Sequence, residues 1–599
     1  MSAAVGDSQL SCRRILSCQK AESEVKGMVQ ASSASGMRRG ANPWLALLAL
    51  MFGLFMALLD LSIVSIALPA IVQDLRTDLT MAGWVLDAYS LVFAVLLVTV
   101  GRLADLFGRK KIFMAGMAVF MLGSLLCGLA PSIDWLIGFR ALQAVGAAVL
   151  QPVSLAILIA IFPREQRGTA VGLWGAAAGL ATALGPVLGG LITQTLSWRW
   201  IFYVNLPFCV VGLVLVWLWV PETREVRQDG RTGRLDWPGL LLVSVALFTL
   251  VLAVMQGNSW GWGSLPTLAL MGLALVALAS FVGVELRVRE PMVNLRLFGI
   301  RSFLLSDVAM LLFGMAMQGA FVIVVFYFTE LRGYDQLGAA YALLPLPLAS
   351  LILSLLMGAV GHRLPPLLVG LVGLLLVTLG FALLALISAS AGALDTAWRL
   401  ALIGVGMGMC FQSFPAFALS EVPPAQLGVG SGILNTFRQV GFALGVAVLI
   451  ALLTAQLPQH LQQARQSSVQ LVESDQQLPP VLRSHLVTAL QQANVGQSGG
   501  EAQSGSATVD LRPLAQMVPP GPQREALRSH LQALGGRISA LFSAEVMKAF
   551  AATWWASAAF AALGWVLTVL ALLLGWGRSR RQVAADADQV AVAEVGAAP

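Results

Sequence analysis

Charge is scarce in this 599-residue chain: 11% of its residues are Asp, Glu, Lys or Arg. A soluble domain carries about 25%, so the composition excludes an ordinary solvated surface. Cysteine is equally uninformative as a scaffold. There are five, an odd number, and Cys127, Cys209 and Cys410 lie inside apolar runs. No metal-ligand or redox spacing links them, so no metal site is expected. The four histidines are scattered outside those runs. No catalytic constellation and no Walker loop is present, so neither an enzyme nor a directly ATP-driven machine is expected, and no cofactor. The net charge of +7 sits in short connecting segments, which argues against a nucleic-acid partner. The first 36 residues contain no apolar h-region and are not a signal peptide.

Apolar residues fill the space that charge leaves. They make up 58% of the chain, and the mean hydropathy is +0.81. Runs of about 20 apolar residues recur, each able to cross a hydrocarbon core of ~30 Å as a helix. Helix is forced there, because an unpaired backbone group in lipid is too costly. Fourteen spans are expected, near 44–69, 82–101, 112–130, 134–161, 169–196, 200–220, 237–256, 265–284, 303–328, 337–360, 367–388, 397–419, 429–455 and 549–576. Their layout is six, two and six. The implied divisions are a tail (1–43), a six-helix half (44–220), a linker with two extra spans (221–302), a second six-helix half (303–577) and a closing tail (578–599). Two such halves suggest a duplicated transporter with its site between them near mid-membrane.

Arg and Lys cluster on alternate connections. They fill the N-terminal tail (Arg38, Arg39), GRLADLFGRKK, FPREQRG, PETREVRQDGRTGRLD, ELRVREPMVNLRLFGIRS and GRSRR. By the positive-inside rule both termini are cytoplasmic. The N-terminal tail reads as disordered, or translation begins at Met28 or Met37. Residues 456–545 break the pattern: they are polar, Gln-rich and free of Lys, with six acidic and six Arg residues. Span counting places them outside. QLPQHLQQARQSSVQLVE, PPVLRSHLVTALQQA and PQREALRSHLQAL read as short amphipathic helices, and GQSGGEAQSGS as a flexible linker. In a double-membrane cell this segment could touch a periplasmic adaptor.

The loop GRLADLFGRKK (101–111) packs Arg102, Asp105, Arg109, Lys110 and Lys111 between apolar runs. Gly101 and Gly108 permit tight turns and close backbone approach. Asp105 could face a helix N-terminus, where a carboxylate is favoured. Such a loop can latch one arrangement of two halves, or serve only to orient spans 2 and 3. The second half holds only a weak echo, GHRLPP (361–366), which lacks the carboxylate.

Charges within spans are sharper signals, since each costs on the order of 3 kcal/mol at mid-bilayer. Counting 1.5 Å per residue, Asp60 lies roughly 13 Å deep, Arg140 roughly 9 Å and Asp87 roughly 8 Å, all in the outer half. Asp87 is either a negative substrate site or a solvated interfacial residue. Asp307 either satisfies the N-terminus of span 9 or takes part in proton movement. Gln318, Gln412, Asn435, Arg438 and Gln439 read as cavity lining or interhelical glue. Tyr89, Trp174, Phe313, Phe321 and Met407 could line an apolar pocket, or simply pack.

G-x-L-A-D-x-x-G-R-K closely resembles motif A of the major facilitator superfamily. LLDLSIVSIALPAI (58–71) resembles the span-1 signature of its fourteen-span drug:proton antiporters, the EmrB/QacA type, with Ser62 and Ser65 where that signature usually has Thr and Asn. RALQAVGAA (140–148) is similar to motif B. Gly172, Gly185, Pro186, Gly189 and Gly190 fit motif C, the antiporter motif, with Ala181 replacing one glycine. WRWIFYVNLP (198–207) and GILNTFRQVGFALG (432–445) also look like this subfamily. The resemblance implies an all-α integral membrane protein with the major facilitator fold, two six-helix halves plus two extra central spans. It implies that Gly101, Arg102, Asp105, Gly108 and Arg109 latch the outward-facing state. It brings spans 1, 2 and 4 together, so that Asp60 and Arg140 can pair, either statically or as a proton switch with Asp307 in reserve. Asp87, Tyr89, Gln318 and Gln412 are the expected substrate contacts. The expected function is proton-coupled export of amphipathic, cationic or neutral toxic compounds across the inner (plasma) membrane. The alternative is dedicated export of one metabolite, such as a lipid, siderophore or amino-acid-derived compound.

Overall fold

The computed structural model describes residues 42–77, 79–223, 236–288, 293–334, 336–360, 364–388, 391–423, 426–492 and 524–596. Among these the secondary structure is helical throughout. The N-terminal tail with Met28 and Met37, the first residues of GHRLPP, and the linker sequence at 496–506 lie outside them.

The first half comprises α1 (Pro43–Leu75), α2 (Leu79–Phe107), α3 (Arg109–Gly128), α4 (Ile133–Ile161) and α5 (Arg164–Thr195), then a short α6 (Trp200–Tyr203) continued by α7 (Asn205–Trp219). Local chemistry sets the breaks. Asn42 caps α1 by accepting the Trp44 N–H at 3.0 Å. Gly108, at φ 105°, separates α2 from α3 in a conformation that only glycine adopts without strain. The inserted pair is α8 (Trp237–Trp260) and α9 (Leu265–Glu285), capped by Asp236 and Ser264, each followed by a proline in the first turn. The second half runs α10 (Arg301–Phe326), α11 (Gln336–Leu343), α12 (Pro345–Val360), α13 (Pro366–Ala385), α14 (Ala393–Ala418), α15 (Leu427–Glu473), α16 (Pro480–Gln492) and α17 (Arg524–Gly596). Thirteen segments of the described residues are long and apolar enough to cross a membrane. The 32-residue α5 occupies the place of the expected fifth span but is not among those thirteen. The closing segment 578–599, expected as a tail, continues α17 as helix to Gly596.

Within each half the helices pack through glycine. A methyl group at Gly146 would collide with the backbone of Gly116 and Phe120, and one at Gly441 or Gly445 with the backbone of α10. Close approach of this kind drives association in lipid, where burial of apolar surface gains nothing over a lipid tail. The inserted pair sits on the seam. α8 contacts both halves, with Val251 packed among Leu91, Ala94 and Val95 of α2 and Val440 and Ala443 of α15. Asn258 Nδ2 donates to Ala447 O at 3.0 Å. α9 packs on α8 and turns its remaining surface outward, with Leu265 82% and Leu275 69% exposed, as suits contact with lipid.

Residues 456–473 and 524–545 are not the separate short helices the sequence suggests. They are direct extensions of α15 and α17, which with α16 form a small three-helix bundle beyond the span. Its core is Ala464, Val472, Leu478, Leu482, Leu486, Leu490, Leu531, Leu534, Ile538 and Phe542. An apolar stripe at helical spacing reads alike for a separate helix and for a continued one.

Candidate functional site

α1 and α4 bring Asp60 and Arg140 together inside the first half. Neither side chain has any exposed surface. One Asp60 oxygen, Oδ2, accepts from an Arg140 guanidinium nitrogen. The other, Oδ1, accepts from Gln143 Nε2 at 2.9 Å and from Asn205 Nδ2 at 3.1 Å. Gln143 and Asn205 also donate to Ser124 Oγ, at 2.6 and 3.1 Å. Arg140 donates through Nε to Val85 O at 3.1 Å and through a terminal nitrogen to Gln143 Oε1 at 2.6 Å. Its guanidinium lies 4.1 Å from the centre of the Tyr89 ring, within cation–π range. Tyr89 donates to Ala57 O at 3.3 Å and stacks on Phe93, so its ring closes the charge cluster. The cluster is a charged pair inside a shell of amides. Protonating Asp60 would cancel its charge and release Arg140, a change that no apolar packing could produce.

Gln143, Asn205 and Ser124 were not singled out by sequence. Gln143 and Asn205 lie in quoted stretches, RALQAVGAA and WRWIFYVNLP. Their signal was present: an amide in an apolar span needs a polar partner.

The second cluster joins the two halves at the basic end of the bundle, where 101–111 lies. Asp105 is buried and receives Arg109 Nε and a terminal Arg109 nitrogen at 2.9 and 2.8 Å. Its oxygens also accept the backbone N–H groups of Gly428 and Val429, at 3.1 and 3.0 Å. These are first-turn amides of α15, which have no partner within the helix, and the helix dipole favours a carboxylate there. Gly101 lies against Gly428, and a methyl group on either would collide with the other's carbonyl. Gly432 meets Leu97 O in the same way, at 2.6 Å from an added methyl. Arg102 is buried beside them. Across Gly108, Lys110 N donates to Glu222 at 3.1 Å, and Arg109 N to Thr223 O at 3.0 Å. The loop is therefore tied to the end of the first half and to the start of α15.

The glycines of α5 serve packing against α1. A methyl at Gly185 would run into Ser62, and one at Gly189 would lie 2.9 Å from Ile63 O. Gly172 and Gly190 are buried. The Pro186 side chain lies outside the described ones.

The second half holds its polar groups differently. Asp307 is fully buried, and neither carboxylate oxygen has a hydrogen-bond partner among the described residues. It does not satisfy the start of its helix. Six residues past Arg301, it lies beyond the turn whose amides are free. Arg438 is also buried, donating to Asn435 Oδ1 at 2.6 Å. Gln412 Nε2 reaches across to Gly168 O of α5 at 3.3 Å. Gln318 is exposed, and Asp87 is half-buried in α2, so these two do not join either cluster. Among the described residues no group of three or more His, Cys, Asp or Glu could hold a metal ion.

The Major Facilitator Superfamily model matches residues 50–446. The chain is 36% identical over 435 residues to the multidrug resistance protein Stp of Mycobacterium tuberculosis, covering 71% of this chain and 79% of the relative. It is 33% identical over 424 residues to the tetracenomycin C resistance and export protein of Streptomyces glaucescens, covering 71% and 78%. It is 35% identical over 427 residues to the puromycin resistance protein pur8 of Streptomyces alboniger, covering 69% and 82%. Among solved structures, the human organic anion transporter MFSD10 superposes with a TM-score of 0.51 at 17% identity, covering 68% of this chain and 93% of that one. That similarity concerns the fold.

Proposed function

We propose that this chain, which belongs to the major facilitator superfamily, is a proton-coupled antiporter of the fourteen-span EmrB/QacA type that exports amphipathic compounds by alternating access. The observation that carries this reading is the Asp105 contact. The two halves meet at the basic end through hydrogen bonds between a carboxylate and a helix terminus, so separation there breaks polar contacts that water can replace. Apolar side chains of both halves, among them Phe162, Phe303, Leu427 and Val429, also pack in one buried cluster, so opening carries a hydrophobic cost as well. The basic end is the cytoplasmic one and both termini are cytoplasmic, supported by the run of Arg and Lys on alternate connections. The membrane is the inner or plasma membrane. The three-helix bundle then stands on the outer side, where a periplasmic adaptor could meet it.

Asp60 is the coupling residue. Arg140 does not titrate usefully, so the pair switches through its carboxyl. With the centre open outward, Asp60 takes a proton and loosens from Arg140. With the centre open inward, it loses the proton and the pair re-forms. Asp87 is a second negative site and favours cationic substrates. Neutral compounds need no such partner.

The test uses purified protein in vesicles with an imposed pH gradient and a panel of fluorescent amphipathic compounds. Wild type is expected to concentrate at least one compound against its gradient, and to release protons when it binds. Asp60→Asn is expected to abolish both coupled accumulation and proton release, and Asp87→Asn to impair cationic compounds selectively. An Asp60→Asn protein that still does both would move the coupling elsewhere. A wild type that moves none of the panel would overturn the reading.

A further inference from the structure

We propose that Arg438 is an anion-recognition site in the second half, built to receive the carboxylate of an aromatic organic acid. The proposal rests on the export reading and extends its substrates beyond cations and neutral compounds.

Arg438 stands on α15, eleven residues past Leu427. At 1.5 Å per residue that is about 16 Å along the helix, near the middle of a ~30 Å core. A guanidinium keeps its charge in a protein, and a charge at that depth is normally matched by a counter-charge. Arg140 follows that rule with Asp60. Arg438 does not: it is 3% exposed, and no carboxylate forms an ion pair with it among the described residues. Its one side-chain partner is the neutral oxygen of Asn435, and its Nε has no acceptor. Asp307 is buried in the same half on α10, the helix packed against α15, yet the two are not paired. The structure thus holds a buried cation whose described side-chain partner is neutral.

The surroundings specify that anion. Ser431, Asn435 and Arg438 recur at i, i+4 and i+7, one face of a helix. Ser431 Oγ donates to Pro152 O of α4 at 2.9 Å, so this face looks toward the other half, where a transported compound has to pass. Asn435 is itself anchored by donating to Ser431 O at 2.8 Å, which fixes the guanidinium. The rings of Phe411 and Phe442 lie 5.2 and 5.9 Å from its central carbon. A planar guanidinium with free edge donors matches a carboxylate in two parallel hydrogen bonds, and the flanking rings suit an aromatic body. If the basic end is cytoplasmic, the inside-negative potential itself favours the exit of such an anion.

The experiment uses the full chain in lipid nanodiscs with three matched probes: pyrenebutanoate, its methyl ester and pyrenebutylamine. Binding is read from pyrene emission sensitised by protein tryptophan. Wild type is expected to bind the acid at least about tenfold more tightly than the ester, as charge-assisted bonds imply. Arg438→Gln should erase that difference. Arg438→Lys should keep part of it, since an ammonium is a point charge without the fork. Equal wild-type binding of acid and ester overturns the site, and that comparison needs no variant to fold. So does an acid preference that survives in a folded Arg438→Gln protein, folding being judged by its thermal transition. Vesicle efflux separates this from the export reading. Efflux of pyrenebutylamine with no acid preference overturns the site and leaves export standing. Arg438-dependent acid binding with no efflux of any probe leaves the site standing and overturns export.

Discussion

Asp60 in α1 and Asp307 in α10 are carboxyls on the opening helices of the two halves, and both are fully buried. Asp60 meets a guanidinium and two side-chain amides, whereas Asp307 meets no hydrogen-bond donor among the described residues. The cations differ in the same way: Arg140 has its carboxylate, Arg438 a neutral amide oxygen. The halves share an architecture and divide the electrostatic work. The first half holds a completed pair whose rupture is costly. The second holds buried groups, Asp307 and Arg438, with unused bonding capacity among the described residues. Burial alone distinguishes neither role; the partner inventory does.

The largest effect that could break this comparison is on stability. Arg140→Ala would strand Asp60 among neutral donors, at a cost of about 3–5 kcal/mol. Asp307→Asn removes no ion pair and no hydrogen bond among the described residues, and is expected not to destabilise the fold. Thermal unfolding of the purified variants, with tryptophan emission as the readout, compares the two directly. Equal destabilisation would mean that Asp307 has a partner as important as Arg140.

A smaller effect belongs to the contact between the halves. Asp105→Asn keeps the shape but loses the charge that strengthens the bonds to Gly428 and Val429, on the order of 1.5–3 kcal/mol. Opening at the basic end should become easier, and a cysteine at Ser431, buried in the described arrangement, should react faster with a thiol reagent. Turnover should slow while equilibrium substrate binding stays within about twofold. Lost binding with unchanged cysteine reactivity would assign Asp105 to the substrate site instead.

These differences were only partly legible in the sequence. The fourteen apolar runs and the 101–111 loop declared themselves, because hydropathy and charge are local properties. The meeting of Asp60 with Arg140 was not local, since 80 positions separate them, and it came from resemblance. Gln143 and Asn205 escaped because an amide in a span reads equally as glue or as lining until its neighbours are known. Tyr89 was expected to touch substrate; ring aromaticity could not reveal that its face would lie against Arg140. Position alone leaves Asp307 either at its helix N-terminus or in proton movement, and a helix that begins at Arg301 removes the first alternative. The outer bundle was misdivided because α15 continues through Pro458, where a proline usually ends a helix.

The smallest effect concerns that outer bundle, where polar groups pair at a surface and not in the membrane. Asp475, in the turn between α15 and α16, accepts from Gln477 N at 2.9 Å and lies 2.7 Å from His530 Nε2 of α17. Partial burial pushes its carboxyl upward, but the Gln477 amide and His530 outweigh burial and hold it below the ordinary carboxylate value. A carboxyl depressed by folding stabilises the structure above its unfolded value of about 3.9 and loses that contribution as pH falls through the folded value. Because the pair is partly solvated, it is worth no more than about 1 kcal/mol. His530→Gln should therefore raise amide hydrogen exchange in α16 severalfold at pH 7. The gap between variant and wild type should narrow as pH falls through the folded carboxyl value, which lies below about 3.9, and close once Asp475 is protonated in both. The measurement is peptide-resolved exchange on the full chain at pH 7 and below that folded value, with α4 as an internal reference that should not respond. A gap of the same size at both values would show that His530 holds the bundle by packing against its leucines, and that the surface pair, unlike the buried one, carries no charge-dependent stability.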